Sequence, residues 1–329
     1  MVRTALVLLM SLSAAGCQQS PPPEAVVLPV QVRLAYPSQH DASLVHLAVA
    51  KGFFREEGVI VLPLIHSFGK QALEAVLEGK ADLATVAETP FMFAALRGEK
   101  VSIVASIFSS GQNHAIVASR RRGVASPGEL RGKRIGFTPG TTSDIFLDSF
   151  LSANSIAPHE VIPVPLKPDQ MLDALMAGEV DAISAWTPTL KIIARRLGKE
   201  CSVFYDQDIY TETFVLAGST PYIDQNQVAV RRVLRALLKA EEFASQHPMA
   251  AKALIADALK VAPDILSECW NEGRFRVALD HALLITLEDE TRWAVKHRLA
   301  PDIAMPNYLE YIDFRALYSV KPEAIDIKR

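Results

Sequence analysis

Residues 71–82 read QALEAVLEGKAD and residues 170–181 read QMLDALMAGEVD, so Gln, Leu, Ala, Gly and Asp coincide at an offset of 99. The flanks repeat as well. VRLAYP, ending at Pro37, precedes a polar loop and an apolar-patterned helix, and RIGFTP, ending at Pro139, does the same. Each copy continues with a second strand-like run (VIVLPLI; VIPVPL), the Gln-Leu-Ala helix closed by Gly79 or Gly178, and a third run (ADLATVA; VDAISAW). A glycine just past a helix supplies a left-handed cap, so its recurrence marks one structural event occurring twice. The pattern is β-α-β-α-β followed by a helix ending near Gly98 or Gly198. It predicts an α/β clamp of two lobes, each a mainly parallel sheet with helices on both faces. Ligands of such sheets bind outside the carboxyl ends of the strands, which places a site in the cleft between the lobes.

SGQNHAIVAS (110–119) and YTETFVLAGS (210–219) bracket the second copy and read as the crossings between lobes. The second lobe is therefore expected as an insertion, residues 116–216, with lobe one formed by 30–115 plus 217–329. After Ile223 the pattern is mostly helical: Pro248 and Pro263 suit helix starts, and RVALDHALLITLEDETRWAVKHRLA reads as one long helix.

Of the 329 residues, 50% are hydrophobic and 22% are charged, which excludes a disordered or fibrous chain. A net charge of -3 lacks the basic surplus of nucleic-acid binders. Three cysteines, at 17, 201 and 269, make neither a zinc spacing nor a disulfide framework, and Cys201 and Cys269 are expected as free thiols. No HExxH, GxSxG, Walker A or GxGxxG is present, so no metal, catalytic nucleophile or cofactor is predicted. Ser67 and Lys70 spell S-x-x-K by chance, without its S-D-N or K-T-G partners.

Residues 1–16 read as an export signal: Arg3, an apolar run from Ala5 to Leu12, then Ser13, Ala14, Ala15 and Gly16 before Cys17. The small residues followed by cysteine resemble the lipobox of bacterial lipoproteins, which implies a lipidated Cys17. That box usually has leucine where Ala14 stands. Pro21, Pro22 and Pro23 make residues 17–29 a semi-rigid tether.

LAYPSQHDASLVHLAVAKGFFREEGV, the Gln71 helix leading into DLATVAETP, LRGKRIGFTPGTTSD and GEVDAISAWTP together cover most of residues 30–220. In that order they resemble the substrate-binding proteins of ABC importers, in the group serving nitrate, aliphatic sulfonates, taurine and pyrimidine precursors. The resemblance implies a type II periplasmic binding protein fold, a small-molecule ligand, and permease and ATPase partners.

Candidate ligand contacts follow from the loops after corresponding strands. Gly140, Thr141, Thr142 and Ser143 open a helix whose free N–H groups favour an anion, although capping is their ordinary use. Lobe one offers Tyr36, Ser38, His40 and Asp41, then Ser67 and Phe68 at the Gln71 helix, with Lys167 a further donor in lobe two. Glu88 and Thr89 follow its third strand, as Trp186 and Thr187 follow the matching strand of lobe two. These loops lack arginine. The expectation is a monomeric, exported, lipid-anchored receptor for a small anionic organic molecule, with no enzymatic activity. The alternatives are a receptor for a pyrimidine or thiamin precursor, a sensor for a membrane signalling protein, or an enzyme of pyrimidine synthesis.

Overall fold

The computed structural model describes residues 28–300 and 304–327. The export segment, Cys17 and the tether up to residue 27 lie outside the described residues. The first copy of the repeat runs β1 (Val30–Pro37), α1 (Ser43–Lys51), α2 (Phe53–Glu56), β2 (Val59–His66), α3 (Gly69–Leu77), β3 (Leu83–Ala87) and α4 (Glu88–Leu96). After β4 (Val101–Ser110) and β5 (His114–Ser119) the second copy follows. It comprises β6 (Arg134–Phe137), α5 (Thr142–Ala153), β7 (Ile162–Pro165), α6 (Met171–Ala177), β8 (Ala182–Trp186) and α7 (Thr189–Leu197).

The repeated Gly and Asp have one structural task in both copies. Gly79 and Gly178 follow α3 and α6 with φ of 70° and 76°, a backbone that a Cβ would strain. The aspartate then ties the turn back to the first strand. Arg33 N donates to Asp82 Oδ2 at 2.8 Å and its Nη1 to Gly79 O at 2.7 Å. Arg134 N donates to Asp181 Oδ2 at 2.9 Å and its Nη2 to Gly178 O at 2.7 Å. Asp82 N and Asp181 N return bonds to Arg33 O and Arg134 O. A helix end is thus clasped to the neighbouring strand, and the exposed carbonyl that a helix terminus leaves is satisfied.

Two sheets result. With β9 (Cys201–Phe204), β10 (Glu212–Ser219) and β11 (Arg274–Ala278), the orders are β11-β4-β10-β3-β1-β2 and β7-β6-β8-β5-β9. Within each copy the three strands are mutually parallel, whereas β10 is antiparallel to β3 and β4, and β5 to β8 and β9. The reason lies in the crossings. β4 ends at the cleft, the chain passes through 111–113, and β5 must start at the cleft and run away from it. The return through 205–211 gives β10 the same sense. The expected boundaries therefore shift: β5 from His114 belongs to the second sheet, and all of β10 from Glu212 belongs to the first.

The C-terminal part corrects one further expectation. Residues 276–280 do not open the long helix; β11 adds to β4 as an antiparallel edge strand, and Asp280, extended at φ -93° and ψ 144°, precedes the helix α12 (His281–Lys296). The short Arg-Phe-Arg-Val alternation suits a half-buried strand better than a helix. α8 (Thr220–Gln225), α9 (Gln227–Gln246), α10 (Pro248–Leu259), α11 (Pro263–Cys269) and α13 (Arg315–Val320) complete the chain. Pro248 and Pro263 take first helical positions, where the missing N–H costs nothing. α9 buries Val230, Val233, Leu234, Leu237 and Ala240, one stripe at helical spacing, in the core of lobe one. Lobe two has an apolar cluster centred on Phe146 and Phe150 and another on Leu175 and Ile183. Among the described residues no helix is long and apolar enough to cross a membrane.

Candidate functional site

The carboxyl ends of the parallel strands of both sheets converge on one cavity between the lobes. Lobe one contributes Gln39 and Asp41 after β1, Phe68, Gly69 and Lys70 after β2, Ala87 and Pro90 around the start of α4, and Glu212 and Phe214 from β10. Lobe two contributes Thr141 and Thr142 at the start of α5, and Trp186 at the end of β8. Its volume is about 20 Å³, room for about one water molecule, so a larger solute fits between these walls only if the lobes or side chains move. A larger hollow of about 390 Å³ is lined by Phe314, Tyr318 and Ile325 with Arg315, whose guanidinium already pairs with Asp313 and Asp224.

Of the residues expected at the site, Asp41, Phe68, Thr141, Thr142 and Trp186 line this cavity together. Tyr36 does not line it; it packs in the lobe-one core edge-on to His46. Ser38 is occupied through its N–H with His66 O, and Ser67 is exposed, its N–H donating to Gln71 Oε1. His40 is buried behind Asp41 against Phe108 and Phe275. Thr187 N donates to Asn113 O across to the first crossing. Gly140 borders an adjacent groove with Lys70, whose ammonium donates to Pro139 O of lobe two at 3.0 Å.

The start of α5 is largely self-satisfied. Thr141 is the helix cap: its Oγ1 accepts from Ser143 N and donates to Thr138 O. Ser143 Oγ accepts from Thr138 N and donates to Ser184 O. Asp144 Oδ2 accepts from Gly140 N, and burial raises the Asp144 carboxyl despite that bond. The Thr142 hydroxyl instead meets a side chain, His114 Nε2 at 2.8 Å. Burial depresses His114 to about 3, which leaves its ring neutral at physiological pH.

Four carboxyl groups gather here, Asp41 and Glu212 in the cavity wall and Glu88 and Glu290 behind it. Asn113 Nδ2 donates to Asp41 Oδ1 at 3.1 Å and to Glu212 Oε2. Glu88 accepts from the Tyr210 hydroxyl and from Thr213 N at 2.9 Å, and Glu290 accepts from Thr89 Oγ1 at 2.6 Å. Burial pushes Glu88 up to about 7 against its hydrogen bonds. Burial, reinforced by the neighbouring carboxylates, also holds Glu212 and Glu290 well above the usual range. Sequence reasoning found Asp41 and Glu88 but missed Asn113, Tyr210, Glu212 and Glu290. The signal for Glu290 was available: it occupies a core position of the stripe Leu283, Leu287, Glu290, Ala294 on α12. Asn113, Tyr210 and Glu212 stood inside segments read only as connections.

Comparison with known proteins accords with this architecture. A relative in Brucella abortus, named provisionally as a binding protein, is 24% identical over 236 residues, covering 70% of this chain and 72% of its own. The crystal structure of the periplasmic aliphatic sulphonate binding protein SsuA from Escherichia coli superposes with a TM-score of 0.74 at 19% identity, over 88% of this chain and 99% of that one. The periplasmic nitrate-binding protein NrtA from Synechocystis PCC 6803 gives 0.75 at 12% identity, with 89% of each chain covered. These likenesses establish the fold as that of the periplasmic binding proteins. The sequence pattern described as NMT1/THI5 like matches residues 39–251, well over half of the chain, and the protein therefore belongs to the NMT1/THI5-like family.

Proposed function

We propose that this protein is an exported solute-binding receptor that closes its two lobes over a small organic molecule and presents it to the permease and ATPase of an importer. The observation that carries the reading is a cavity built at the carboxyl ends of the strands of both lobes, which the chain joins through 111–113 and 205–211. Two such connections can act as a hinge. The names of the relatives support binding rather than catalysis, and a periplasmic location. The sulphonate and nitrate names favour an acidic head group, for which Thr142 and Lys70 are the cavity's suitable contacts. A pyrimidine precursor is the second reading, favoured by the aromatic lining of Phe68, Trp186 and Phe214. Lipidation of Cys17 would hold the receptor at the membrane, and Cys17→Ala should then move it to the soluble fraction. The test of the receptor reading is a thermal-shift panel of sulfonates, nitrate, taurine, carboxylates and pyrimidines combined with small-angle scattering. A ligand at 100 times its Kd adds about 2.7 kcal/mol of stability and should shrink the particle. A panel in which nothing both stabilises and compacts the protein overturns the reading.

A further inference from the structure

We infer that the solute carries a protonated nitrogen, held between the carboxylates of Asp41 and Glu212 where the two crossings meet lobe one. The inference rests on the receptor reading and specifies the chemistry of its ligand.

Asp41 and Glu212 are each 2% exposed, and both line the cavity. Asn113 Nδ2 bridges them, and His40 Nδ1 lies 3.1 Å from Asp41 Oδ1. These contacts use one oxygen of each carboxylate. Asp41 Oδ2 and Glu212 Oε1 have no hydrogen-bond partner among the described residues. Among the described residues no lysine or arginine pairs with either group; the contacts at ion-pair distance are His40 for Asp41 and His114, at 4.0 Å, for Glu212. Lys70, the cation in the cavity wall, donates to Pro139 O instead. Buried carboxylates without a counter-charge are costly, and ionisation of Glu88 or Glu290 nearby would raise that cost further. A proton relieves that cost in the protein alone, and a ligand ammonium or protonated ring nitrogen can take the proton's place with its own N–H donors.

An independent observation points to the same occupant. Trp186 lines the cavity from lobe two, is 5% exposed, and its indole Nε1 is buried without an acceptor. An indole N–H can only donate, so this residue of the cavity wall carries a donor that no protein acceptor satisfies and that an acceptor on the ligand would. A molecule with a basic nitrogen facing lobe one and an acceptor facing lobe two satisfies both walls. Aminosulfonates and aminopyrimidines share that chemistry, whereas plain alkanesulfonates and nitrate lack it. Because Asn113 lies in one crossing and Glu212 directly follows the other, occupation of this point also links ligand binding to the hinge.

Matched pairs measured by calorimetry test the inference: taurine against ethanesulfonate, and 4-aminopyrimidine against pyrimidine. The nitrogen-base member of at least one pair should bind ten- to 100-fold more tightly than its counterpart, the range expected for charge-assisted hydrogen bonds. Taurine, which enters as an ammonium, should release the carboxyl proton on binding, seen as a dependence of the heat on buffer ionisation enthalpy, whereas 4-aminopyrimidine, neutral in solution, should take that proton onto its ring nitrogen and release none. The groups facing that proton are Asp41, Asn113 and His114, with Tyr210, Glu88 and Glu290 behind them. Glu212→Gln and Asp41→Asn should each lose tenfold or more in affinity, while the exposed control Glu129→Gln should not. The wild-type comparison requires no variant to fold. Equal binding of the amine-free members, or their binding alone, overturns the inference and leaves the receptor reading intact. Failure of every compound to bind or compact the protein overturns the receptor reading and the inference with it.

Discussion

Replacing Glu88 by Gln should flatten the dependence of stability on pH. Glu88 is fully buried at the start of α4, between the Tyr210 hydroxyl and Thr213 N, and titrates near 7 in the folded protein against 4.5 for an ordinary glutamate. Between those values the folded state retains a proton that the unfolded chain has released, so stability falls as pH rises. The contribution is fully present below pH 4.5 and gone above pH 7. A gap of about 2.5 pH units at about 1.4 kcal/mol each amounts to between about 3 and 4 kcal/mol for this one group. Glutamine keeps an acceptor for Thr213 N and a donor toward Tyr210 but does not titrate. Urea unfolding at pH 5, 6, 7 and 8 should show the wild type losing about 2–3 kcal/mol more than Glu88→Gln across the series, with the variant the more stable at pH 8. Glu212 and Glu290 slope in the same direction in both proteins, so the difference between the curves is the informative quantity. Parallel curves, or a wild type that gains stability from pH 5 to 7, would refute this account of the cluster.

The start of α5 separates capping from binding. Thr141→Val should lower stability by about 1 kcal/mol through loss of the cap, whereas Thr142→Val should weaken ligand binding about tenfold or more with a smaller change in the ligand-free Tm; melting and titration of both variants decide it. Asp82→Ala leaves the Arg33 main-chain N–H without its acceptor and should cost roughly 1–3 kcal/mol in chemical denaturation. Cys201 and Cys269 are free, and burial pushes Cys269 up to about 12. Native protein at pH 8 should therefore alkylate slowly at Cys269, and non-reducing peptide maps should contain no 201–269 cross-link.

The repeat made the fold legible because its signals are local. A left-handed glycine after a helix, a strand ending in proline and apolar runs of strand length act within a few residues, so QALEAVLEGKAD and QMLDALMAGEVD declared two copies of one unit. Asp82 and Asp181 were visible as identities, but their role was not, since each closes on an arginine almost 50 residues earlier in the chain. The strand β11 was misread as helix because its partner β4 lies more than 160 residues away, and an edge strand of five residues carries little periodicity of its own.

By itself the sequence determined the two-lobed α/β architecture, the cleft location, and the presence there of Asp41, Phe68, Thr141, Thr142 and Trp186, each at the carboxyl end of a strand or the helix start that follows. Tertiary structure alone decided which polar groups are free to meet a ligand. Thr141 and Ser143 spend their hydroxyls within their own lobe, whereas Asp41, Asn113 and Glu212, spread over more than 170 residues, come together beside the two crossings. The physical reason is that a hydroxyl or carboxylate looks the same in sequence whether its lone pairs are used or unused. Only the distances made by packing two sheets around two crossings show which are already satisfied.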